Sequence, residues 1–199
     1  MPAGAIRDAI KECQETLFVL DEAYSDLLPE PQWTRGLLDA GNLIVLRSMT
    51  KAWGLAGLRV GCALAGEVLA GALRAAKPPW NVNACAQAAG EAALADLDHY
   101  HRTVEMLGNE KQRLMQAVRS LGFPIIPSMA AFFLVEVGDA RLARQSLLKH
   151  GCLVRDCSSF GLPEYIRISP RRPEQNARLL DALATTELAR TTLSKTGRL

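Results

Sequence analysis

Two short stretches carry the residue types from which a reactive site can be assembled. Ser48-Met49-Thr50-Lys51-Ala52-Trp53-Gly54-Leu55-Ala56-Gly57-Leu58-Arg59 places two hydroxyls, an amine, two glycines and a guanidinium in one connection. Hydroxyls and a guanidinium are donors suited to a phosphate, and glycines let a backbone approach a ligand closely. A lysine among them can form an imine with a carbonyl if it is unprotonated often enough to attack, a state that neighbouring cations and desolvation favour. The second stretch, Asp21-Glu22-Ala23-Tyr24, offers a carboxylate able to hold a positive charge on a ligand. Taken singly, each has an ordinary alternative: Asp21 as a helix cap, Lys51 as a solvated surface charge.

Joined, the two stretches are harder to dismiss. They supply an acid for a pyridinium nitrogen, a tyrosine for a phenolic oxygen, a lysine for an aldehyde and several donors for a phosphate. That combination describes pyridoxal phosphate.

The elements that must position these groups are legible in the apolar pattern. Ala5 to Glu15 reads as an amphipathic helix, and Thr16 to Leu20 as a buried strand ending at Asp21. Asn42 to Arg47 makes a second strand ending at Ser48, Val60 to Ala65 a third, and Glu67 to Ala76 a helix. Apolar strands interleaved with helices and loops predict an α/β sheet, mainly parallel, with ligand groups at strand carboxyl ends. Lys77-Pro78-Pro79-Trp80 stops this pattern, and a long helical stretch from about Asn83 to Leu121 follows, with a possible break near Asp96-Asp98. From Phe123 a smaller α+β unit is expected: strands at Ile125-Ile126, Phe132 to Val137, Cys152 to Arg155 and Tyr165 to Ser169, and helices over Ala140 to His150 and Pro173 to Ala184. The expected organisation is a partial large domain over 1–110, a small C-terminal domain over 111–184 and a frayed tail over 185–199.

Composition excludes several other classes. The 199 residues are 49% hydrophobic, 22% charged and 6% aromatic, the balance of a folded soluble chain and not of a disordered or fibrous one. Lys and Arg number 23 against 21 Asp and Glu, and the charges are mixed along the chain, so no nucleic-acid partner is expected. No apolar run approaches the roughly 18 residues needed to span a bilayer, and the N-terminus lacks a signal-peptide layout. The chain is therefore read as cytoplasmic, with no membrane partner. Cys13, Cys62, Cys85, Cys152 and Cys157 are odd in number and lack CxxC spacing, which favours reduced thiols over a disulfide framework or a metal site. His99, His101 and His150 receive no role.

The strings LFVLDEAY, RSMTKAWGLAGLRVG, PPWNVNACAQ, LVRDCSSFGLPEYIRIS and RRPEQNARLL resemble fold-type I pyridoxal-phosphate enzymes of the class I/II aminotransferase superfamily, in the branch of histidinol-phosphate aminotransferase and threonine-phosphate decarboxylase. The resemblance reaches to about Leu183. It implies a large-domain sheet with flanking helices followed by a small α+β domain. It makes Lys51 the imine-forming lysine, pairs Asp21 with the pyridine nitrogen and Tyr24 with the ring oxygen, and gives the cofactor phosphate to Ser48, Thr50 and Arg59. Arg167 resembles the arginine that meets the substrate carboxylate; Arg155 resembles a second anion-binding arginine, for carboxylate or phosphate. Without the resemblance, both arginines read equally as exposed strand ends.

The strings PPWNVNA and VRDCSSFGL lean toward the decarboxylase, which implies conversion of O-phospho-L-threonine to aminopropanol phosphate and carbon dioxide, a step of cobalamin synthesis. A histidinol-phosphate-type aminotransferase is the alternative enzyme, and a non-catalytic remnant or subunit the alternative of another class. The family's earlier half, with a glycine-rich phosphate turn and a stacking aromatic ring, would precede Asp21, whereas here about twenty residues do. The chain thus reads as N-terminally truncated, with a small phosphorylated amino acid as substrate and a homodimer mate or the missing N-terminal half as partner.

Overall fold

Helix α1 (Ala3–Glu12) opens the chain in the computed structural model, which describes residues 3–28 and 35–185. Its apolar spacing turns Ile6 and Ile10 toward a small core with Phe18, Leu20, Leu43 and Val45. The Asn42 amide ties this helix to the sheet: Nδ2 donates to the carbonyls of Ile10, Cys13 and Thr16, each at 3.1 Å. The Ile10 carbonyl lies in the last turn of α1, where a helix leaves its carbonyls without backbone partners.

Strands β1 (Phe18–Asp21) and β2 (Leu43–Ser48) pair in parallel, and β2 pairs antiparallel with β3 (Gly61–Ala65). The mainly parallel sheet expected from sequence is therefore corrected to a mixed one, with β1 and β2 as the parallel pair among the described residues. The reason is the β2–β3 connection. It carries the lysine stretch and a single 3₁₀ turn (Ala56–Leu58) in place of a crossover helix, so the chain can only return antiparallel.

Helices α2 (Glu67–Ala76), α3 (Ala84–Ala95) and α4 (Leu97–Ser120) follow. Asn83 caps α3 by accepting from Ala86 N at 2.8 Å. The long helical stretch expected from about Asn83 breaks at Asp96, whose Oδ1 accepts from His99 N at 3.0 Å and so starts α4 as a new helix. By internal contacts the chain divides within α4 into unit 1, Met1–Val104, and unit 2, Glu105–Leu199.

Unit 2 contains β4 (Ile125–Ile126), β5 (Phe133–Glu136), α5 (Ala140–Lys149), β6 (Arg155–Asp156), β7 (Tyr165–Ile168) and α6 (Pro173–Thr185). Its strands pair antiparallel in the order β4-β5-β7-β6. Alternation sends Phe133, Val135, Ile166 and Ile168 into a core with Leu114 and Val118 of α4, Leu147 of α5 and Leu183 of α6. Leu134 and Arg167, paired across β5 and β7, leave by the other face. The strand expected over Cys152 to Arg155 forms later, at Arg155–Asp156, because Cys152 N and Gly151 N are still bonded to the end of α5. The tail expected over 185–199 lies, after Thr185, outside the described residues.

The β2–β3 register leaves no space at Gly61. A Cβ there would lie 2.5 Å from the Arg47 carbonyl oxygen. Gly61→Ala is expected to lower stability by about 1–3 kcal/mol by forcing β3 away from β2. Urea unfolding followed by circular dichroism checks this; an unchanged midpoint would mean that the strand shifts freely.

Candidate functional site

Side-chain parity assembles the site. Phe18↔Leu43 and Leu20↔Val45 are register partners that face the α1 core, so Val19, Asp21, Ile44, Leu46 and Ser48 leave by the opposite face. On β3 the residues opposite Ile44, Leu46 and Ser48 are Ala65, Ala63 and Gly61, all small. Asp21 and Ser48 thus stand on one face, at the carboxyl ends of parallel neighbours, where open α/β sheets hold ligands.

Each strand end is shaped locally. Asp21 Oδ1 accepts from Ala23 N at 2.9 Å, turning the chain so that Tyr24 follows the carboxylate directly. After β2, Ser48 Oγ and Thr50 Oγ1 lie 2.7 Å apart, and Thr50 N donates to Ser48 Oγ at 3.3 Å. Met49 N to Val60 O, at 3.2 Å, closes the base of the lysine connection. Lys51 projects from it with Nζ 5.1 Å from the centre of the Tyr24 ring, so the structure brings these two predicted residues together. Arg59 is exposed and sits in left-handed backbone, φ 56 and ψ 50, an arrangement unfavourable for any residue with a side chain.

Beneath this face lies a charge cluster that sequence reasoning missed. Arg47 leaves β2 on the side opposite Ser48 and meets Asp26 Oδ1 at 2.7 Å, Glu22 Oε2 at 3.4 Å and the Ser25 hydroxyl. The Arg47 and Asp26 side chains are only 9% and 7% exposed, so this is a desolvated ion pair. Burial pushes the Asp26 carboxyl up from its ordinary value, Arg47 pulls it down, and the Glu22 charge adds to the rise. Tyr100 Oη donates to Asp26 O at 2.8 Å, and its ring stacks on Trp53 at 5.1 Å between centroids. The segment after β1 and the lysine connection therefore share a common support. A lone arginine in an otherwise apolar strand was the available signal.

In unit 2, Arg155 and Arg167 are register partners across β6 and β7, which places both on the face turned from the core. The Arg155 guanidinium lies 5.3 Å from the Phe160 ring centre and donates to Ser159 Oγ at 3.0 Å; that of Arg167 lies 4.8 Å from the Phe132 ring centre. Both border a cavity of about 560 Å³. Cys152 and Cys157 are buried, and burial raises the Cys157 thiol pKa, which suits structural thiols. Trp80, in the stretch that stops the strand pattern, is 96% exposed. No group of side chains able to hold a metal occurs among the described residues, and no described helix is long and apolar enough to cross a membrane.

Pyridoxal phosphate suits the donor set of unit 1. The coupled Ser48 and Thr50 hydroxyls can both turn to an anion, the Lys51 amine is exposed with no ion pair among the described residues, and Asp21 keeps Oδ2 clear of its own turn. A lysine, an acid and a hydroxyl pair stand together at or just beyond adjacent strand ends of an α/β fold. The chain belongs to the aminotransferase class I and II family, whose model matches residues 2–183.

Histidinol-phosphate aminotransferase of Akkermansia muciniphila is 42% identical over 171 residues, covering 85% of this chain and 47% of that protein. Histidinol-phosphate aminotransferase 2 of Ralstonia nicotianae is 40% identical over 195 residues, 92% of this chain and 51% of that one. The chain thus spans about half the length of these relatives. The structure of histidinol-phosphate aminotransferase from Sinorhizobium meliloti in complex with pyridoxal-5'-phosphate superposes with a TM-score of 0.85 at 30% identity, over 96% of this chain and 54% of that one. That of L-threonine-O-3-phosphate decarboxylase from Porphyromonas gingivalis gives 0.82 at 29% identity, over 93% and 59%.

Removing the cation from the buried cluster leaves two carboxylates facing each other. Arg47→Met is expected to cost about 3–5 kcal/mol at neutral pH. A raised Asp26 pKa penalises the folded state above that value, and the penalty is relieved as pH falls through it toward 3.8. The loss should therefore shrink at mildly acidic pH. Thermal unfolding of both proteins at the two pH values measures it; an equal loss at both would show that the carboxylates do not repel.

Proposed function

We propose that this chain carries the lysine half of a pyridoxal-phosphate enzyme acting on a phosphorylated amine, of the histidinol-phosphate aminotransferase type. The observation that carries this reading is the Lys51 amine above the Tyr24 ring, in the connection that also holds the Ser48–Thr50 hydroxyl pair. Asp21 would face the pyridine nitrogen, Tyr24 the ring oxygen, Lys51 the aldehyde carbon, and Ser48, Thr50 and Arg59 the phosphate. When bound, the cofactor supplies an electron sink for bonds at the amine-bearing carbon.

The remaining work falls to the chain. The Asp21 carboxylate keeps the ring nitrogen protonated by opposing its charge. Lys51 Nζ would take the proton from the substrate's amine-bearing carbon and give it back on the far side of the amine nitrogen, which is general acid–base catalysis at a fixed site. Arg155 and Arg167 orient the anionic ends of the substrate with planar, two-pronged donors.

A second reading, phosphothreonine decarboxylation, is supported by PPWNVNACAQ and LVRDCSSFGLPEYIRIS and by the likeness to the Porphyromonas decarboxylase. There Lys51 delivers a proton to the carbon that has lost carbon dioxide. The strings favour the decarboxylase, whereas the relatives from Akkermansia and Ralstonia, 42% and 40% identical, are histidinol-phosphate aminotransferases; that support puts the transferase first. Either activity includes the polypeptide that occupies the other half of the relatives' length, and a homodimer, as partners.

Added pyridoxal phosphate should give the protein a visible absorbance band that Lys51→Ala abolishes; a folded protein with no band would leave a non-catalytic remnant. With the complementing half present, amino transfer from histidinol phosphate to 2-oxoglutarate supports the first reading. Carbon dioxide release from O-phosphothreonine without transfer would replace it with the second.

A further inference from the structure

The cavity of unit 2 holds more positive charge than the substrate proposed above can use. A molecule with one phosphate and one carboxylate, or a phosphate alone, is matched by Arg155 and Arg167. The same cavity is bordered by three further guanidinium-bearing residues, Arg144 on α5, Arg171 in the turn before α6 and Arg178 on α6, and by no acidic residue. None of the five arginines forms an ion pair among the described residues. Asp156, whose carboxyl is held low first by Ser158 and then by the Arg141 and Arg144 charges, does not border the cavity.

The backbone that carries Arg171 is fixed, and Arg178 lies close to the turn after α5. Buried Asn176 clamps the turn that carries Arg171: its Oδ1 accepts from Arg171 N at 2.9 Å, while Nδ2 donates to Arg171 O at 2.9 Å and to the buried Glu110 Oε2 at 3.0 Å. Arg178 reaches back over the turn after α5, its Nη1 3.9 Å from where a Cβ on Gly151 would stand. Gly151, at φ 71, makes that turn. The start of the 13-residue α6 opens beside Arg171 and adds its partial positive charge. Guanidinium forks match phosphoryl oxygens two at a time, and a cavity lined by one sign of charge concentrates the opposite sign. At about 560 Å³ it has room for a small ligand beyond the substrate's anionic end.

We propose that Arg144, Arg171 and Arg178 form a second anion site, distinct from the Arg155–Arg167 pair, which takes a multiply charged phosphoryl group such as a pyrophosphate. That it is a site apart from the substrate's rests on the proposed function, through the assignment of Arg155 and Arg167 to the substrate; anion binding itself needs neither cofactor nor turnover. Such a site gives the unit a means of sensing a phosphorylated metabolite other than its substrate.

Titration calorimetry of the full chain with pyrophosphate, with no pyridoxal phosphate present, tests it. Binding is expected, weakened about tenfold or more by the combined change Arg144→Gln, Arg171→Gln and Arg178→Gln, and altered no more than about twofold by Arg155→Gln with Arg167→Gln. Circular dichroism verifies folding of each variant. The exposed single change Arg178→Gln, expected to weaken binding about threefold, stands in if the triple change does not fold. Failure of the unaltered chain to bind, an unchanged affinity in the triple variant, or a loss confined to the Arg155 and Arg167 variant would each overturn the proposal. The Lys51 absorbance band reports separately on the proposed function, so the two can fail independently.

Discussion

Everything the lysine connection can do depends on the parallel register between β1 and β2. Because Phe18 pairs with Leu43 and Leu20 with Val45, the odd-numbered apolar residues of β2 and the even-numbered ones of β1 share the α1 core. Asp21 and Ser48 then have no choice of side. A slip by one residue would turn Asp21 into the core and Val19 with it, at the cost of an unpaired buried carboxylate. Hydrophobic burial on one face thus fixes the placement of polar chemistry on the other. The three small residues of β3, Gly61, Ala63 and Ala65, keep that second face low beside Ser48.

Charge is used in two contrasting ways. In unit 1, Arg47 is buried with two carboxylates and a hydroxyl, so its charge is neutralised and its role is to hold the segment after β1 in place. In unit 2, arginines on strands and helices stand in water around a cavity with no acidic partner among the described residues. The first arrangement is costly to disrupt and insensitive to salt; the second is cheap, screened and available to a ligand. Lys111 shows an intermediate case. Its desolvated ammonium, lowered in pKa by burial, donates to the carbonyls of Ser128 and Ala130, the loop that leads to Phe132 beneath Arg167.

How much of this was legible in the sequence differs from feature to feature. Strand ends at Asp21 and Ser48 could be read because a run of apolar residues stops at a polar one, and Asn83 could be read as a cap from its position before an alanine-rich helix. The antiparallel turn of β3 could not, since its strand is apolar on both sides and periodicity carries no direction. Nor could the Arg47 cluster or the Tyr100 bond to the Asp26 carbonyl, which spans 74 residues and depends on tertiary placement. The extra arginines of unit 2 carry no local signal, since two lie on helices and one in a turn, where arginine is ordinary. Their meeting around one cavity follows from the Asn176 clamp and the Gly151 turn, neither of which has a local pattern.

The left-handed backbone at Arg59 sets up a contest between two demands on one position. Conformation there favours glycine, since a Cβ at φ 56 costs about 1–2 kcal/mol. A guanidinium is what glycine cannot provide. If the proposed phosphate is what arginine serves there, position 59 works as a gauge of selection: a lineage that still binds the anion keeps arginine, and one whose ligand has lapsed is free to drift to glycine and gain stability by doing so.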